Sequence, residues 1–119
     1  MEKKKILIAD DEEVVRILLP EALKPNDYEI DVAENGVEAI NQIDKKSYDL
    51  VITDYMMPKM DGLELTQRIK AKYPSTPILV ITAEGPVHDL LKSGATAYIM
   101  KPFNIFELQS MVETILKER

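Results

Sequence analysis

The chain contains no cysteine, which removes disulfides, thiolate nucleophiles and cysteine-held zinc from consideration. It suits a reducing compartment without requiring one. Long apolar runs are missing as well: the uninterrupted hydrophobic stretches are a few residues each, far below the roughly 18 needed to cross a bilayer. The opening MEKKKILIADD lacks the apolar core of a cleavable signal, so a cytoplasmic location without membrane contact is expected. Basic clusters are scarce. Lys3, Lys4 and Lys5 form the one basic run in a chain of formal net charge −6, and they read as a solvated lead-in to the first strand. A surface that holds nucleic-acid phosphate needs Lys and Arg to outweigh the neighbouring acids, so direct nucleic-acid binding is not expected. Histidine occurs once, as His88, and reads as an exposed helical residue rather than a pH sensor or metal ligand.

What is present is enough for one core: 119 residues, 45% of them hydrophobic, the size of a single domain spanning 1–119. Short runs rich in Ile, Leu and Val recur at Ile6 to Ala9, Ile30 to Ala33, Leu50 to Thr53, Ile78 to Thr82 and Tyr98 to Met100. These are predicted strands. Helical spacing fills the intervals, at about Glu12 to Lys24, Gly36 to Lys45, Gly62 to Tyr73, Val87 to Ser93 and Asn104 to Glu118. Five strand and helix pairs in alternation predict an α/β fold, with a five-stranded parallel sheet and helices on both faces. ILIA and LVIT are apolar throughout and suit strands buried on both sides, whereas Glu29 to Ala33 alternates and suits an edge. The expected strand order is 2-1-3-4-5.

Local signals agree with these boundaries. Asp61 can cap the third helix, and Asn104 with Glu107 three residues later has the form of a capping box. Gly94 stands where the fourth helix should stop. Pro20 fits less well, because proline inside a helix costs about 3 kcal/mol. A bend near Arg16 or an early helix end is expected.

The polar residues of interest follow the apolar runs directly. Asp10 and Asp11 follow the first, Asp54 the third, Thr82 ends the fourth and Lys101 follows the fifth. In a doubly wound parallel sheet the carboxyl ends of the strands share one edge, and ligands bind there, where the strand order reverses. Singly, each residue has an ordinary explanation as a helix cap, a turn former, a β-former or a solvated strand end. Together they put three carboxylates, a hydroxyl and an ammonium around one crevice. Two like charges about 4 Å apart cost on the order of 4 kcal/mol at an effective dielectric of 20, so either the pKa values rise or cations balance the charge. Lys101 offsets one charge, and a hard oxygen-seeking ion such as Mg²⁺ suits the remainder. A carboxylate beside such an ion is a plausible nucleophile toward phosphorus. Asp54 is the expected acceptor, since it ends the central strand between the acidic pair and Lys101.

These residues resemble the response-regulator receiver family of two-component signalling over essentially the whole chain. The resemblance is carried by Asp10-Asp11, by Asp54 within VITDYMMPKMDG, by Thr82-Ala83 and by Lys101-Pro102. It implies a flavodoxin-like (βα)5 fold and a cis bond before Pro102. Asp11, Asp54 and the backbone carbonyl of Met56 are implied ligands of Mg²⁺, or of Mn²⁺ in its place, with Asp10 assisting through water. A phosphoryl group would pass to Asp54 from a sensor histidine kinase or a histidine phosphotransfer protein. Lys101 and Thr82 would hold its oxygens, and Tyr98 would be the aromatic that turns inward when Thr82 moves. Met56 and Glu84 occupy the two variable places that tune hydrolysis of the acyl phosphate.

The output in this family uses the fourth helix, fifth strand and fifth helix, which would engage a downstream effector. Here the interval from Thr82 to Gly94 is shorter than usual in the family, so the fourth helix should lose nearly a turn, with Gly85-Pro86 setting its start. The stretch from TAEG to KPFN resembles receivers of enhancer-binding transcriptional regulators and of sporulation-type relays. The expected role is a phosphorylation switch acting on partner proteins, not an enzyme on external substrates. Two alternatives stand beside it. A pseudo-receiver would bind partners without phosphorylation, and a small phosphatase would turn over substrates through an aspartyl phosphate. The residues after Asp54, Tyr55-Met56, lack the DxD pattern of the latter.

Overall fold

The structure is a computed structural model that describes residues 3–83 and 87–117. Its strands are β1 (Lys5–Ala9), β2 (Glu29–Ala33), β3 (Leu50–Asp54), β4 (Ile78–Thr82) and β5 (Ala97–Met100). Its helices are α1 (Glu13–Leu23), α2 (Gly36–Lys45), α3 (Gly62–Lys72), α4 (Val87–Lys92) and α5 (Ile105–Lys117). The strands form one parallel sheet in the order β2-β1-β3-β4-β5. The fold class and strand order expected from the apolar runs are those observed.

Alternation along each strand builds two cores. Leu7, Ala9, Val51, Ile78 and Val80 face α2, α3 and α4, while Ile6, Ile8, Leu50, Ile52, Leu79 and Ile81 face α1 and α5. Every residue of β3 and β4 is buried, whereas β2 and β5, at the edges, are partly exposed. This is the distribution that continuous apolar runs in the middle of a doubly wound sheet require.

Several strands are longer than their apolar runs because backbone pairing, not hydropathy, sets their ends. Lys5 pairs with Glu29, and Asp54 pairs with Ile81. Asp61 and Asn104 behave as predicted caps, accepting from the N–H groups of Glu64 and Glu107 at 2.9 and 2.8 Å. At the end of α4 the N–H of Ala95 bonds to Leu90 and that of Gly94 to Leu91, with Gly94 at φ +109. These two bonds close a Schellman turn that glycine alone enters without strain.

Pro20 sits inside α1, which continues to Leu23 before tightening into a 3-10 turn, Lys24–Asn26. The proline therefore does not end the helix. Among the described residues the fourth helix spans six residues, Val87–Lys92. Gly85-Pro86, the variable position Glu84 and the expected last residue of α5, Glu118, lie outside the described residues. His88 is exposed on α4, as its sequence context suggests.

Candidate functional site

The carboxyl edge of the sheet brings the strand-end residues together. Asp10 follows β1 and is 1% exposed, Asp54 ends β3 at 6% and Thr82 ends β4 at 1%. The Lys101 side chain reaches in from beyond β5, with its Nζ 3.3 Å from Asp54 Oδ1. Lys101 is fixed by its own backbone, since its N–H donates to the Thr82 carbonyl at 2.8 Å. The Lys101-Pro102 bond is cis. Tyr98 is half-buried in β5, opposite Val80.

The segment after Asp54 is held by three contacts. The N–H of Tyr55 donates to Ile81, and the N–H of Gly62 returns to the Tyr55 carbonyl at 2.7 Å. Thr53 Oγ1 donates to the Asp54 carbonyl at 3.0 Å. A Cβ on Gly62 would lie 2.6 Å from the Asp54 carbonyl oxygen, so the close approach of α3 to the end of β3 requires glycine. Within this loop Met56 is exposed and Met57 and Met60 are buried.

Carboxylate oxygens of Asp10, Glu12 and Asp54 lie within 4.8 Å of one another. Glu12 is not among the site residues expected from the strand ends; the acidic run Asp10 to Glu13 is the sequence signal for it. Its place follows from the backbone, because the Glu12 N–H donates to Asp10 Oδ1 at 2.9 Å and holds Glu12 in an extended conformation before α1. Asp11 is exposed and stands outside this trio, yet its charge acts on both Asp10 and Asp54.

The electrostatic conflict anticipated from the sequence is present. Burial, reinforced by the charges of Asp54 and Asp11, pushes the Asp10 carboxyl up to about 6, against the opposing pull of the Glu12 N–H and Lys101. Asp54 is also raised, chiefly by burial and further by Asp11, while Lys101 and the Tyr55 N–H counter part of the rise. Both acids would be relieved by added positive charge. An all-oxygen donor set of crowded carboxylates, with Asp10 and Asp54 buried, fits a hard divalent cation such as Mg²⁺. It does not fit a soft metal, for which neither thiolate nor imidazole is at hand among the described residues.

Beside the cluster, α1 and α5 border an apolar groove of about 550 Å³ whose wall includes Asp10 and Lys101 as well as Leu18, Phe103 and Ile105. Among the described residues no helix is long and apolar enough to cross a membrane.

Comparison with known proteins gives a consistent result. The family model for the response regulator receiver domain matches residues 6–113. Response regulator MprA of Mycobacterium sp. (strain KMS) is 37% identical over 116 residues, covering 95% of this chain and 50% of its own length. Transcriptional regulatory protein ResD of Bacillus subtilis (strain 168) is 40% identical over 116 residues, with 95% and 48% covered. The chain thus spans about half the length of the curated relatives it matches. Among solved structures, response regulator protein TrrA of Thermotoga maritima, in complex with Mg²⁺-BeF, superposes with a TM-score of 0.87 at 42% identity, covering 94% of this chain and 98% of that one.

Proposed function

The chain belongs to the response regulator receiver domain family of two-component signalling, and on that premise we propose that it is a cation-dependent phosphorylation switch with Asp54 as acceptor. The observation that carries this reading is the pairing of Asp54 with Lys101 at 3.3 Å in a cluster of carboxylates of which Asp54 and Asp10 are buried.

In the proposed reaction a carboxylate oxygen of Asp54 attacks phosphorus on the phosphohistidine of a sensor kinase or phosphotransfer protein. The P–O bond forms as the P–N bond breaks, and the imidazole nitrogen keeps the electron pair. Asp11, Asp54 and the Met56 carbonyl are the groups proposed to hold Mg²⁺ directly, with Asp10 assisting through water and Glu12 as an added neighbour. The ion, when bound, would neutralise charge on the phosphoryl oxygens. Lys101 balances a further negative charge, and the Thr82 hydroxyl, on the adjoining strand end, donates to a phosphoryl oxygen. Movement of Thr82 toward that oxygen would be followed by Tyr98 on β5.

The output is binding of a downstream effector at the face made by α4, β5 and α5. Leu91, Met100, Ile105 and Phe106 are exposed on these elements, which suits an interaction surface. The net charge of −6 supports a protein partner rather than nucleic acid.

Phosphoryl incorporation from acetyl phosphate tests the switch against its alternatives. One phosphoryl group per chain is expected with Mg²⁺ and none with EDTA. Rapid multiple turnover of small phosphate esters would instead identify a phosphatase, and a complete lack of labelling with Mg²⁺ would identify a module that works without phosphorylation.

A further inference from the structure

Arg16 has no part in the chemistry above, although it sits one helical turn from Glu12 on the face of α1 nearest the carboxylates. Its Nη1 donates to the backbone carbonyl of Asp10 at 2.7 Å. Among the described residues it forms no ion pair. The guanidinium is thus directed to a peptide oxygen. That oxygen belongs to the segment whose side chains make the cation site.

The segment needs such a tie. Asp10, Asp11 and Glu12 connect β1 to α1 and repel one another, and Glu12, at the helix N-cap, makes no side-chain capping bond. Apart from the Arg16 guanidinium, the segment is held by the Asp10 N–H to Ala33, by the Glu12 N–H to Asp10 Oδ1, and by the Val15 and Arg16 N–H groups, which donate to the Glu12 carbonyl at the start of α1. The second of these uses one of the carboxylate oxygens that a cation would engage. Arg16 instead fixes the Asp10 peptide from outside the donor set, as partners of metal ligands do. A charge-assisted bond from a side chain that stays ionised is strong enough for this task.

On the proposed reading of the site as cation-binding, we infer that Arg16 is a positioning residue that holds the Asp10 to Glu12 segment in its cation-binding arrangement through the Asp10 carbonyl. The sign of its effect on Mg²⁺ distinguishes this from other roles. A positive charge near the site, acting only through space, repels a divalent cation, so its removal would tighten binding. A residue that merely supports α1 would lower the melting temperature and leave affinity alone. A positioning residue loses affinity when removed.

The test is Mg²⁺ titration of wild type, Arg16→Met and Arg16→Lys, followed by backbone amide chemical shifts at a temperature where all three are folded. Methionine keeps the unbranched stem without donor or charge, and lysine restores both. Arg16→Met is expected to weaken Mg²⁺ binding about tenfold and to speed exchange of the Glu12 amide hydrogen, with Arg16→Lys recovering most of each. Unchanged or tighter Mg²⁺ binding in Arg16→Met overturns the inference. Failure of wild type to bind Mg²⁺ at all would remove the cation site itself, and this inference with it.

Discussion

Replacing Asp10 by asparagine should stabilise the protein at neutral pH in the absence of divalent cations. The carboxyl is 1% exposed and its pKa rises from 3.8 to about 6. At about 1.4 kcal/mol per pK unit, this corresponds to roughly 3 kcal/mol as an upper limit. The direction follows from proton linkage. Because the folded pKa lies above the unfolded value, the native state binds more protons across the interval between them, and stability falls as pH rises. The cost is nearly absent below about pH 4, grows up to about pH 6 and is fully present above it. Asparagine mimics the protonated acid and keeps the Oδ1 that accepts from Glu12. In a domain of this size 3 kcal/mol is about 12 °C in melting temperature, so even half the effect is easily read. Thermal unfolding of Asp10→Asn and wild type with EDTA, from pH 4 to 8, is the assay. The gap should widen with pH, and millimolar Mg²⁺ should narrow it by stabilising wild type preferentially. A gap independent of pH, or an asparagine variant no more stable than wild type at pH 7.5, would refute the charge-conflict account.

Other substitutions probe the frame around the acceptor. Gly62→Ala places a Cβ 2.6 Å from the Asp54 carbonyl oxygen and 2.9 Å from Tyr55 Cα; urea unfolding should show a loss of about 1 to 3 kcal/mol, and an unchanged midpoint would mean that the close approach carries no constraint. Lys59 has φ +71 within a three-residue turn closed by the Met60 N–H to Pro58 at 2.7 Å, so Lys59→Gly should gain about 0.5 to 1 kcal/mol by the same measurement. A destabilised glycine variant would contradict it.

The fold was legible because its middle strands are buried on both sides and therefore carry uninterrupted runs such as ILIA and LVIT. The strand order followed from the contrast with Glu29 to Ala33, whose exposed and half-buried positions match an edge. Asp10, Asp54, Thr82 and Lys101 could be grouped before any geometry was known, since a parallel sheet delivers the ends of its strands to one edge. Glu12 and Arg16 could not. Their roles depend on how the chain bends between β1 and α1, where a carboxylate holds one N–H and delays the helix to Glu13. Gly62 was equally hidden, because its constraint is a meeting of α3 with the end of β3 rather than a local turn. The passage of α1 through Pro20 reflects tertiary packing: Leu19 and Leu23 on either side of it are buried in the core shared with α5, which outweighs the local penalty.

The central claim is that Asp54 is the residue that receives phosphate, and mass-spectrometric mapping after incubation with acetyl phosphate and Mg²⁺ addresses it directly. A single phosphoryl group on the peptide containing Asp54, absent from Asp54→Asn, is the predicted result. Modification at another residue, or undiminished labelling of Asp54→Asn, would contradict it.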